Sequence, residues 1–134
     1  MAKHAAGSTP ATTALTRAGV GFTLHPYAHD EHTRSYGLEA AAALDVDPQR
    51  IFKTLVADVG GRLVVGVVPV TGQLDLKALA AAVGGKRATM ADPRAAERSS
   101  GYVVGGISPL GQRTPLPTVV DASALDFATA LVSA

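Results

Sequence analysis

The 134-residue chain contains no cysteine, and aromatic residues make up only 4% of it. Without cysteine there is no disulfide framework, no thiolate zinc site and no cysteine nucleophile, so any thiol chemistry must come from a substrate. Charge of one sign is also lacking: the formal net charge is +1, which gives no global argument for nucleic-acid binding and none for DNA in particular. No uninterrupted apolar run reaches membrane-spanning length. The first residues, "MAKHAAGSTPATTAL", hold a single Lys and no apolar stretch long enough for a signal peptide, so the cytoplasm is the expected location. There is no internal repeat, and the alanine runs at 40–43 and 80–82 read as helix filler.

A hydrophobic content of 47% with 17% charged residues suits one compact globular domain with a real core. Charge is uneven within it. Between Lys86 and Arg113 five basic residues (Lys86, Arg87, Arg94, Arg98 and Arg113) face only Asp92 and Glu97, a local balance of +3. That suffices for a modest basic patch, or equally for a solvated face that keeps the protein soluble.

Punctuation by caps and turns predicts the elements. Thr9 and Pro10 open a helix over "ATTALTRA" that Gly19 closes. "GFTLHPYAHD" alternates Phe22, Leu24 and Tyr27 as a short edge strand broken by Pro26. "YGLEAAAAL" is a second helix, after which Asp47 and Pro48 turn the chain. "IFKTLVADV" and "RLVVGVVPV", joined by Gly60-Gly61, form the clearest hairpin. A helix from the Asp75 cap to Gly84, a short "RATM" strand and a helix capped by Asp92 with Pro93 at its first position come next. "TVVD" is a strand, and "FATALVS" is a final strand or helix that periodicity does not separate. Strands and helices intermixed around a central hairpin give an α+β fold: a single domain whose mixed, mainly antiparallel sheet is flanked by helices.

Two features could carry chemistry. Lys53 falls mid-strand on the face of Ile51 and Leu55, opposite Phe52, Thr54 and Val56, and both faces are largely apolar. A partly desolvated ammonium there requires a carboxylate, backbone carbonyls or an anionic ligand, unless its long stem snorkels to water. The second feature is "YVVGGISPLGQ" (102–112). Gly105 and Gly106 permit dihedrals closed to other residues, Pro109 stiffens the exit and Gly111 allows a second sharp turn. Such a loop can aim main-chain N–H groups at a carbonyl or developing oxyanion, or it is a tight connection in which Ser108 makes a local turn bond.

Other candidates are weaker. Asp121 either faces a pocket or caps the following "ASAL". His25, His29 and His32 have no spacing that compels a metal site. "GGRLVVG" lacks the ending of a phosphate-binding P-loop, and Ser108 before a proline is no nucleophile elbow.

Taken together, "YAHD" (27–30), "FKTL" (52–55), "GQLDLKALA" (72–80), "MADP" (90–93), "RSSGYVVGGISPLGQ" (98–112) and "LPTVVD" (116–121) resemble, in order, the YbaK/ProX/EbsC family, and its YbaK branch of Cys-tRNA(Pro) deacylases most closely. The resemblance covers nearly the whole chain. It implies a fold similar to the editing domain of bacterial prolyl-tRNA synthetases. It also implies hydrolysis, in trans and without a cofactor or metal, of an aminoacyl ester at the 3′ acceptor end of tRNA, with prolyl-tRNA synthetase as a possible partner. Lys53 matches the family lysine that holds the terminal phosphate or ribose, and Gly105 matches the loop glycine whose main chain contacts the aminoacyl carbonyl. Tyr27, Phe52, Thr54, Gly106, Ser108 and Ser133 align with substrate-binding positions. In such enzymes the substrate's own thiol attacks its ester, which suits a chain without cysteine. The resemblance further implies that residues 1–134 form one domain lacking the strand and helix that follow the family's last strand. An Ala-tRNA(Pro) deacylase of ProX type and a non-catalytic module binding aminoacyl-tRNA or synthetase are the alternatives.

Overall fold

The computed structural model describes residues 8–27 and 36–134. Its first helix, α1 (Pro10–Ala18), begins where the sequence places it: the Thr9 side chain accepts from the Thr12 N–H, the Thr12 side chain answers the Thr9 N–H, and Gly19 ends the helix in a left-handed conformation. The expected edge strand after it does not form. Residues 20–27 are irregular, and Phe22 and Leu24 are exposed, with no strand among the described residues paired to them. Ala28 to Asp30 of "YAHD", with His29 and His32, lie outside the described residues.

Helix α2 (Tyr36–Leu44) leads into a 3₁₀ turn, Pro48–Arg50, whose cap Asp47 accepts from the Gln49 N–H. The hairpin of β1 (Phe52–Val59) and β2 (Arg62–Pro69) then forms, closed by Gly60 and Gly61, both with positive φ. Asp58 accepts from the Gly61 N–H and so fastens the turn. Its antiparallel register pairs Lys53 with Val68 and Thr54 with Val67.

Two helices and two strands follow the hairpin, the helices starting where their caps dictate. Helix α3 (Leu76–Ala82) starts from Asp75, and α4 (Pro93–Ser100) starts from Asp92, each cap carboxylate accepting a main-chain N–H three residues on. Between them β3 (Ala88–Met90) pairs antiparallel with β1. After the glycine loop, β4 (Thr118–Val120) pairs parallel with β2, giving the sheet order β3-β1-β2-β4. The sheet is thus mixed and mainly antiparallel, within an α+β domain. Asp121 caps a 3₁₀ turn, Ala122–Asp126, rather than facing a pocket. "FATALVS" is neither strand nor helix: only Leu131 bridges to Ile51, so the segment follows β1 for one contact and then departs.

Alternation along the hairpin sorts the core into faces. Phe52, Val56, Val65 and Val67 pack against Ala96 of α4 and Ile107 of the glycine loop. Ala57, Val59 and Val64 pack against Leu79 and Ala80 of α3. At one end Ile51 and Val70 meet Ala40 and Ala41 of α2, with Tyr27, Val46 and Leu131 against them. Val64 and Val65 point to opposite faces and are both fully enclosed, each burial contributing about 1.5–3 kcal/mol.

Candidate active site

Three segments remote in sequence converge at the start of β1. Phe52, Ile107 and Val132 share one packed cluster, and the Phe52 N–H donates to the Leu131 carbonyl at 2.9 Å. The residues singled out in the sequence sit beside these anchors: Lys53 and Thr54 after Phe52, Gly106 and Ser108 on either side of Ile107, and Ser133 after Val132. Tyr27 joins from the neighbouring cluster through Ile51 and Leu131.

Strand geometry divides this group. Lys53 lies on the face of Ile51, toward Tyr27 and α2, whereas Phe52 and Thr54 lie on the face of α4 and the loop. Lys53 is half-buried and makes no hydrogen bond or ion pair among the described residues, so its ammonium is available to an anion. Thr54 is 8% exposed, and its buried Oγ1 has no hydrogen-bond partner among the described residues. A hydroxyl left in that state costs about 1–3 kcal/mol, and Ser99 Oγ of α4 is the other buried side-chain atom of this kind among the described residues.

The glycine loop is held by a network that the residue pattern did not reveal. The Tyr102 hydroxyl donates to the Leu110 carbonyl at 2.8 Å, and the Leu110 N–H donates to Ser108 Oγ at 3.2 Å. Gln112 Nε2 donates to the Ser108 carbonyl at 2.9 Å, and the Tyr102 N–H donates to Ser100 Oγ at 3.1 Å. Burial pushes the Tyr102 hydroxyl above its ordinary pKa, opposed by hydrogen bonds with the Ser108 side chain and the Ala11 main chain. The available signal was a lone tyrosine opening a glycine-rich string, with a serine two residues before it. Ser108 itself is fully enclosed, so its hydroxyl serves the turn.

Within the loop the glycines differ. Gly105 has φ 96°, is exposed, and its N–H donates to no acceptor among the described residues. The expectation of special dihedrals at Gly106 is corrected: its φ is not in the left-handed region, and its N–H donates to the Val103 carbonyl at 2.8 Å to close the turn. Gly111 has φ 64°, and a Cβ there would fall on the Pro10 carbonyl of α1. The Val104 N–H is taken by Glu97 Oε2 of α4 at 2.9 Å. What remains is a main-chain donor with no partner among the described residues, on the face of Phe52 and Thr54, and at the same strand end, on the other face, an ammonium likewise unpaired among them; the first can polarise a carbonyl and the second can bind an anion.

No cluster of three His, Cys, Asp or Glu side chains suited to a metal occurs among the described residues, and His25 is exposed. A shallow cavity of about 500 Å³ between α1 and the loop exit is lined by Thr9, Thr13, Arg17 and Gln112 and includes neither Lys53 nor Gly105.

The profile of the aminoacyl-tRNA editing domain matches residues 30–134. The chain belongs to that family. Among curated relatives the editing domain is 41% identical over 96 residues to EbsC of Enterococcus faecalis, a candidate Cys-tRNA(Pro)/Cys-tRNA(Cys) deacylase by name; the match covers 70% of this chain and 58% of that protein. Among solved structures, a candidate trans-editing enzyme for prolyl-tRNA synthetase superposes with a TM-score of 0.75 at 29% identity, covering 88% of this chain and 73% of the other. A hypothetical protein superposes with a TM-score of 0.82 at 24% identity, covering 93% and 81%, and shows that the editing domain shares its fold.

Proposed function

We propose that this editing domain hydrolyses the ester of cysteine mischarged on tRNA for proline, in trans, as a cytoplasmic partner of prolyl-tRNA synthetase. The observation that carries the reading is the junction of the β1 start with the glycine loop, anchored by Phe52 and Ile107, where the Gly105 N–H has no partner among the described residues and Lys53, likewise unpaired among them, leaves the same strand end on the other face. Kinship with proteins named for Cys-tRNA(Pro) deacylation and prolyl trans-editing supports the choice of substrate.

In this mechanism Lys53 holds the 3′-terminal phosphate or ribose, and Gly105 donates its N–H to the aminoacyl carbonyl. Tyr27, Phe52, Gly106 and Ser133 border the aminoacyl group, the Thr54 hydroxyl gains its missing partner from it, and Ser108 holds the loop. The protein supplies orientation and charge stabilisation rather than a nucleophile. The substrate thiol attacks its own carbonyl carbon: a C–S bond forms, the ester C–O bond breaks, and the ribose oxygen leaves with the thiol proton. Water then opens the thioester to give free cysteine.

Single-turnover hydrolysis of Cys-, Ala- and Ser-charged tRNA for proline tests the proposal. Loss of the Cys ester, much slower loss of the Ser ester and a reduction of at least about 100-fold by Lys53→Ala are expected, because a neutral hydroxyl is the poorer nucleophile. Equal Cys and Ser rates would overturn the thiol-assisted step, faster Ala hydrolysis would overturn the substrate choice, and stability of every ester would overturn the enzyme reading.

A further inference from the structure

The outer face of α4 carries Arg94 and Arg98, both exposed and one helical turn apart, while Ala96 and Ser100 occupy the buried face. With a rise of about 1.5 Å per residue the two arginines are about 6 Å apart along the axis. Their row is continued by Arg113, which returns from the glycine loop. Its side chain lies beside Gly101 at the end of α4, with Nε and Nη2 each 3.7 Å from where a Cβ on that glycine would be. None of the three arginines forms an ion pair among the described residues.

The two acids of this region are already engaged. Asp92 Oδ2 accepts from the Ala95 N–H at 3.2 Å as the helix cap, and Glu97 Oε2 accepts from the Val104 N–H at 2.9 Å. Both carboxylates therefore serve main-chain donors rather than pairing with an arginine, and the local charge balance stays at +3. The Glu97 contact also ties α4 directly to the tip of the glycine loop, where Val103 is 71% exposed and Val104 is 45% exposed. An unpaired basic row that runs into an exposed apolar tip combines two surfaces a single-stranded RNA end requires: charge for its phosphates and an apolar platform for an unstacked base.

We propose that Arg94, Arg98 and Arg113 track the phosphates of the tRNA acceptor arm, while Val103 and Val104 meet a base of its unpaired 3′ end. The inference rests on the reading of this protein as one that acts on aminoacyl-tRNA, and it deepens that reading by naming the surface outside the aminoacyl pocket. The arm would enter along α4 and reach Gly105 one residue beyond Val104. Specificity for the amino acid would then belong to the pocket, and the basic row would contribute affinity that is insensitive to which amino acid is attached.

The test measures binding of uncharged tRNA for proline, and of a hairpin holding only its acceptor stem and unpaired 3′ end, by fluorescence anisotropy over a series of salt concentrations. The proteins compared are wild type, the double variant Arg94→Ala/Arg98→Ala, Val103→Ser, and Lys77→Ala on α3 at the other face of the sheet. The double variant is expected to weaken both RNAs at least about 10-fold and to lower the log–log salt slope by about two, one for each phosphate no longer neutralised. Val103→Ser is expected to weaken binding with the salt slope unchanged, and Lys77→Ala is expected to leave both quantities unchanged. Unchanged binding by the double variant, or an equal loss from Lys77→Ala, would overturn the proposal. Deacylation by wild type, measured separately, distinguishes the two readings: RNA binding that depends on the arginine row without ester hydrolysis keeps this surface and removes the enzyme, and hydrolysis with an unaltered KM in the double variant keeps the enzyme and removes the surface.

Discussion

The Tyr102 hydroxyl donates to the Leu110 carbonyl across the neck of the glycine loop, eight residues apart and 2.8 Å long. This bond, with Ser108 beneath it, converts a glycine-rich string into a fixed main-chain platform. Tyr102→Phe keeps the ring in its cluster and removes only the donor. Stability is expected to fall by about 1 kcal/mol, read from urea unfolding, with a larger proportional loss in kcat than in KM for the charged tRNA.

The same hydroxyl makes a pH prediction. Burial raises its pKa in the folded protein above the ordinary value near 10.0. Its contribution is therefore fully present below the unfolded value and is lost as pH rises through the folded one, because the unfolded chain releases the proton first. Unfolding midpoints measured from neutral to strongly alkaline pH should decline less steeply in Tyr102→Phe than in wild type. An identical decline would show that other groups control alkaline stability.

Gly111 and Gly106 should respond oppositely to alanine. At Gly111 the φ of 64° and the collision with the Pro10 carbonyl require either the loop exit or the start of α1 to move, at a cost of about 1–3 kcal/mol. At Gly106 the nearest atom to a new Cβ is the Val103 carbonyl oxygen at 3.7 Å, an ordinary contact, so Gly106→Ala should be within about 0.5 kcal/mol of wild type. Thermal unfolding of the two variants checks the contrast.

Thr54 sets stability against function. Replacing it with Val removes a buried hydroxyl that has no partner among the described residues and preserves shape, so the folded protein should gain up to about 1 kcal/mol. If the substrate completes the bonding of this hydroxyl, as proposed, deacylation of Cys-charged tRNA should fall. Thr54→Ser should restore part of the activity. A variant with Val that is both less stable and fully active would mean that Thr54 is only a packing residue.

Asp121 provides the acidic counterpart. Hydrogen bonds from the Ser123 hydroxyl and N–H hold its carboxyl below the ordinary value of 3.8. The cap's contribution is present above the unfolded pKa and lost as pH falls through the folded one. Because the group is largely exposed, screening keeps the effect small, and Asp121→Ala is expected to cost about 0.5–1 kcal/mol at neutral pH and less in acid. Urea titrations at neutral pH and in acid below the folded pKa read the difference.

Local chemistry made most elements legible in the residue string. Thr9-Pro10, Asp47-Pro48, Asp75 and Asp92-Pro93 each satisfy orphan N–H groups within three residues, so cap and helix start are one event that needs no tertiary partner. The hairpin was equally legible, since Gly60-Gly61 supplies its turn and alternation supplies its two faces. Lys53 could be placed on its face for that reason alone.

Other features required the folded chain. Phe22 and Leu24 alternate as a strand would, yet a strand exists only where another backbone accepts its hydrogen bonds, and none among the described residues does so there. "FATALVS" has the composition of a strand but meets β1 at a single bridge. The convergence of Phe52, Ile107 and Val132, the unpartnered Thr54 hydroxyl and the Tyr102 brace each depend on contacts between segments many residues apart. Where helices begin and where the hairpin turns could be read from the residue string, because caps, turn glycines and strand alternation act within a few residues. Which segments meet, and which glycine combines a positive φ with a neighbouring backbone in the way of a Cβ, depended on long-range packing, which selects one arrangement among many that satisfy the same local rules.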